Sequence, residues 1–124
     1  MILVDTSVWI DHFGAAEPQL VSLLTQGQVL THPCVIGEIA LGSIAKRNDV
    51  LRYLGNISQA VVASHPEVMT LIDRHKLMNS GAGYVDACLL ASAMLTCGAA
   101  FWTRDKAVRA VAARCGVAPK PSLR

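Results

Sequence analysis

The 124-residue chain is poor in aromatic residues, at 5%, and in charged ones, at 16%. With so few large rings, the interior has to come mostly from Leu, Val, Ile and Ala, which suits helices packed on a small sheet. The apolar share of 52% excludes a disordered chain. There is no CxxC pair and no Cys/His cluster with zinc spacing among Cys34, Cys88, Cys97 and Cys115. Scattered thiols of this kind, most of them among apolar neighbours, point to free cysteines in a reducing compartment, and so to the cytoplasm. The N-terminus has no basic flank of the signal-peptide type and carries Asp5 early. The apolar stretch 87–101 is shorter than the ~20 residues of a spanning helix, so no membrane is expected. A net charge of +2 permits a nucleic-acid partner without arguing for one.

What the chain has is an alternation of short apolar runs with helical patterns. Residues 2–5 read as a buried strand, and Asp5 or Thr6 can cap a helix that runs through Phe13 and stops at Gly14. Further helices are expected over 18–27, 33–45, 48–55, 65–77, 83–97 and 104–116, with Pro18 and Pro33 at first helical positions. Further strands are expected at 28–32, 58–63 and 98–103. Strands alternating with helices give an α/β fold: a parallel sheet with helices on both faces, one domain over 1–124. In such sheets the ligand sits beyond the carboxyl ends of the strands, at a switch in strand order. Asp5 ends the first strand, and Thr103, Arg104 and Asp105 end a late one.

Two more acids stand in unusual surroundings. Glu38 has Cys34, Val35, Leu41 and Gly42 as its helical neighbours, and Asp86 has Ala82, Gly83, Leu89 and Leu90. Neither has a cation on its own helix, and both are expected on apolar faces. A lone carboxylate there shifts its pKa or finds a partner. If Asp5, Glu38, Asp86 and Asp105 converge, like charges ~4 Å apart repel by about 4 kcal/mol at an effective dielectric near ~20. A divalent cation would turn that repulsion into binding. An all-oxygen donor set selects Mg²⁺ or Mn²⁺ over zinc. Thr6, Ser7 and Thr103 add hydroxyls that could orient water or cap helices. The leading chemistry for such a site is phosphodiester hydrolysis.

The stretches MILVDTSVWIDHF, GEIALG, GAGYVDACLLASAM and FWTRDKAV, in this order, resemble the PIN-domain ribonucleases, and more narrowly the VapC toxins of type II toxin–antitoxin pairs. The resemblance runs from residue 2 to about 117. It implies a three-layer α/β/α sandwich with a small, mainly parallel sheet. It also implies an endoribonuclease dependent on Mg²⁺ or Mn²⁺ that cleaves RNA with metal-activated water. Carried over, Asp5 and Asp86 would be direct metal ligands, and Glu38 and Asp105 direct or water-mediated ones. Thr6, Ser7 and Thr103 match the family's hydroxyl positions. Some members carry a further acid after the fourth; here that place is Lys106-Ala107-Val108, so a five-acid site is not available. The resemblance further implies a small VapB-type antitoxin as partner, and a homodimer. Trp9 would suit either the antitoxin groove or the core, and its spacing favours the core. Arg104 and Lys106 flank Asp105 and are the best candidates for phosphate contacts.

Two other functions use a similar sheet, and the residues fit them less well. An Asp-dependent phosphatase of the haloacid-dehalogenase type needs a second Asp two positions after Asp5, where Ser7 stands, and a phospho-receiver needs an acidic pair that is missing. A non-catalytic PIN-like binding module would be marked by loss of the acids, and all four are present.

Overall fold

The computed structural model describes residues 1–124. In chain order the elements are β1 (Ile2–Val4), α1 (Thr6–Gly14), α2 (Pro18–Thr25), β2 (Val29–Leu30), α3 (Pro33–Leu41), α4 (Arg47–Gly55), α5 (His65–His75), α6 (Tyr84–Leu95), β3 (Ala100–Trp102) and α7 (Lys106–Arg114). The three strands form an open parallel sheet in the order β2-β1-β3. Register pairs Ile2 with Val29 and Ala100, Leu3 with Leu30 and Phe101, and Val4 with Trp102. The chain steps from β1 to one side for β2 and later to the other for β3. The carboxyl ends of β1 and β3 are therefore the switch point of the sheet.

Short strands suffice because both sheet faces are covered. Leu3, Val4, Leu30, Phe101 and Trp102 are buried, and so are Val8 and Trp9 of α1, Val35 and Ile39 of α3, and Leu89 and Leu90 of α6. Trp9 lies in the core, as its spacing suggests, and stacks on Phe13 with ring centroids 6.0 Å apart. All four cysteines are free. No helix is long and apolar enough to cross a membrane.

The expected strand at 58–63 does not form. Its only pairing is a single parallel bridge between Thr31 and Gln59. The reason lies in where the backbone amides go. Val61 N–H donates to Thr96 Oγ1 at 2.9 Å and Ala63 N–H to Ser92 Oγ at 3.2 Å, so side chains of α6 and of its C-cap take the place of a neighbouring strand. Val61 and Val62 are exposed rather than inward-facing. Helix α3 also stops at Leu41, well short of residue 45, where extended Gly42 follows.

Candidate active site

Asp5 follows β1 directly, and its backbone N–H still donates to Trp102 O at 2.9 Å, as if the ladder continued. It occupies the N-cap of α1, yet its side chain makes no capping bond. The carboxylate is held by two hydroxyls instead. Ser7 Oγ donates to Asp5 Oδ2 at 2.7 Å and Thr103 Oγ1 to the same oxygen at 2.9 Å. Each hydroxyl in turn accepts a backbone amide from the turn after β3: Arg104 N–H to Ser7 Oγ at 3.1 Å, and Asp105 N–H to Thr103 Oγ1 at 3.2 Å. The β3–α7 turn is thereby laced to Asp5 through two parallel relays.

The other acids are fixed in a similar way. Asp105 caps α7, its Oδ1 accepting from Val108 N–H at 3.0 Å. Asp86 stands at the third position of α6 and reaches back to Gly83 N–H at 2.9 Å. With glycine at the N-cap, only this return half of a capping box exists. Glu38 on α3 accepts from Thr6 Oγ1 at 2.7 Å. In each of the four, one carboxylate oxygen takes protein donors and the other takes none.

The N-termini of α1, α6 and α7 all carry one of these acids. Helix N-termini favour negative charge, which offsets part of the repulsion. The rest is visible at Asp86. Burial raises its carboxyl above the ordinary range, the Gly83 amide pulls it back, and the charges of Asp5, Asp105 and Glu38 push it higher again. All four acids therefore share one electrostatic field. None of them is paired with Lys, Arg or His.

Three placements differ from the sequence reading. Glu38 is exposed at the rim, not sunk in an apolar face, because it points away from the Val35 and Ile39 side of α3 and toward Thr6. As folded, no three acids close into a finished ligand cage. Arg104 is not free for phosphate: its Nη2 lies 2.7 Å from Glu17 Oε2, its Nε 3.7 Å from Asp11 Oδ2, and its guanidinium sits 5.7 Å from the Trp102 ring centroid. That partnership holds the Glu17 carboxyl below its usual range. Asp11 and Glu17, ordinary loop and helix-end acids by sequence, anchor the arginine of the β3–α7 turn. Lys106 is exposed and unpaired.

The donor chemistry suits a hard divalent cation. Four carboxylates each keep an oxygen free of protein donors, there is no thiolate or imidazole among them, and the local field favours a positive guest.

Residues 2–114 match the PIN domain family. Two relatives named Ribonuclease VapC32, from Mycobacterium tuberculosis strains CDC 1551 / Oshkosh and ATCC 25618 / H37Rv, are each 52% identical over 118 residues, covering 95% of this chain and 95% of theirs. With a match over most of its length and a rim of acids where the sheet changes direction, the chain belongs to the PIN-domain family, in its VapC-type branch.

Proposed function

We propose that this chain is a divalent-metal-dependent endoribonuclease, the toxin of a pair with a small VapB-type antitoxin, working in the cytoplasm as a homodimeric single domain. The observation that carries the reading is Asp5: a carboxylate at a helix N-cap that does no capping, held by Ser7 and Thr103 with its second oxygen free. The high identity to proteins named ribonuclease supports the reaction class. The name VapC supports a VapB-type partner.

When bound, Mg²⁺ or Mn²⁺ would supply the Lewis acidity that water attack on a phosphodiester needs. Asp5 and Asp86 are the proposed direct ligands, with Glu38 and Asp105 completing the set directly or through water. Ser7 and Thr103 fix the angle of the Asp5 carboxylate, and Thr6 tethers the exposed Glu38. The raised Asp86 carboxyl is relieved when positive charge enters the rim.

The test is Asp5→Asn. Cleavage of single-stranded RNA in Mg²⁺ or Mn²⁺ should fall by at least a hundredfold, with circular dichroism unchanged. Equal cleavage by wild type and variant would remove Asp5 from the chemistry.

A further inference from the structure

Between α7 and the segment after it lies a cavity of about 280 Å³, bounded by Phe101, Thr103, Arg109 and Ala113 on one side and by residues 118–124 on the other. Phe101 N–H donates to Val117 O at 2.8 Å, which pins the chain along the outer edge of β3, and Leu123 N–H donates to Lys120 O at 2.9 Å, which folds it back. Pro119 and Pro121 restrict the backbone of the wall so formed.

The side-chain charge of this cavity is one-sided. Arg109, Lys120 and Arg124 line it, and no carboxylate side chain does. None of the three lies within ion-pair distance of an acid. Its volume is near the lower bound of ~300 Å³ for small-ligand sites, which suits a phosphate group with part of its sugar. It also adjoins the acid rim directly. Thr103 lines the cavity, donates its hydroxyl to Asp5, and accepts Arg109 Nη2 on its carbonyl oxygen at 3.4 Å.

We propose that the cavity bounded by Arg109, Lys120 and Arg124 is a phosphate subsite that holds the RNA chain to one side of the cleaved bond. The inference rests on the ribonuclease reading and adds to it a binding position for the strand. An acid cluster repels the polyanion it cleaves, so a neighbouring cationic socket gives the strand a reason to lie across the rim.

Binding of a short fluorescent single-stranded RNA in EDTA, measured against salt, tests this without any chemistry. Lys120→Ala should weaken binding three- to tenfold, and Lys120→Glu more. The slope of log affinity against log salt should shrink by about 0.7 for the lost contact. In cleavage with Mg²⁺ or Mn²⁺, the KM should rise by a similar factor with much less change in kcat. An unchanged slope for Lys120→Ala, or an equal loss in Arg52→Ala on α4, overturns the subsite. So does thermal stabilisation by inorganic phosphate that needs Lys120 while RNA binding does not, since that marks a site for free anions. A Lys120 effect confined to antitoxin binding overturns it as well. If wild type fails to cleave RNA yet binds it with a Lys120-dependent slope, the ribonuclease reading fails and the subsite stands.

Discussion

Thr103 shows how much one hydroxyl does here. It is almost fully buried, donates to Asp5 and accepts the Asp105 amide. Thr103→Val keeps the shape and removes both bonds. A hydrogen bond to a charged group contributes about 1.5–3 kcal/mol. Urea titration of the variant should show a loss of about 2 kcal/mol, and kcat for RNA cleavage should fall at least tenfold with little change in KM. Thr103→Ser should recover most of both. A valine variant with wild-type kcat would mean that the Asp5 carboxylate needs no fixing. The sequence made Asp5 and Thr103 legible, since each follows a short apolar run and so ends a strand at its carboxyl end. It could not show that Arg104 is already occupied. Glu17 is its partner from 87 positions away, and nothing in either residue's neighbourhood announces the pair.

Helices α3 and α6 carry Glu38 and Asp86, and one buried pair joins them. His32 caps α3, its Nδ1 accepting Cys34 N–H at 3.0 Å, so the ring proton sits on Nε2 and faces Ser92 Oγ of α6 at 3.0 Å. Burial holds the His32 pKa below its ordinary 6.5. The unfolded chain then takes up the proton first. The stability tied to neutral His32 is complete above the unfolded value and is lost as pH falls toward the folded one. Between pH ~7 and pH ~5 the Tm of wild type should therefore drop more steeply than that of His32→Asn, whose amide oxygen still caps α3. Parallel profiles would place the acid sensitivity elsewhere.

Gly81 is held at φ +90°, and a Cβ there would stand 3.0 Å from Ala107 Cβ. The loop before α6 is thus pressed onto the first turn of α7. Gly81→Ala should lower stability by about 1 kcal/mol or more in urea titration and weaken divalent-ion binding by pushing Asp86 from Asp105. The helices were readable from periodicity and from Gly and Pro punctuation, whereas the pairing of β1 with β3 was not, because strand order leaves no mark in local periodicity. The 58–63 segment was not, because SQAVVA has strand composition while its amide partners are Ser92 of a distant helix and Thr96 at that helix's C-cap.

Taken whole, the molecule holds four like charges on one rim without a compensating side chain, and the fold supports them with three helix N-termini and a set of hydroxyls. Burial first, and the charges of Asp5, Asp105 and Glu38 after it, raise the Asp86 carboxyl, so the rim carries a repulsion that a cation would relieve. A cation that binds the folded chain and not the unfolded one adds about 2.7 kcal/mol of stability at a hundred times its Kd. For a chain of this length the Tm should then rise by roughly ten degrees. Asp86→Asn removes one of the repelling charges, so without metal its Tm should equal or exceed that of wild type, while most of the rise with Mg²⁺ or Mn²⁺ disappears. The opposite signs in one variant separate a metal ligand from a structural acid. A structural acid would lose stability without metal and keep its response to the ion. Differential scanning fluorimetry across a Mn²⁺ titration, with Ca²⁺ and Zn²⁺ as comparisons, reads both effects on the full chain without any RNA present.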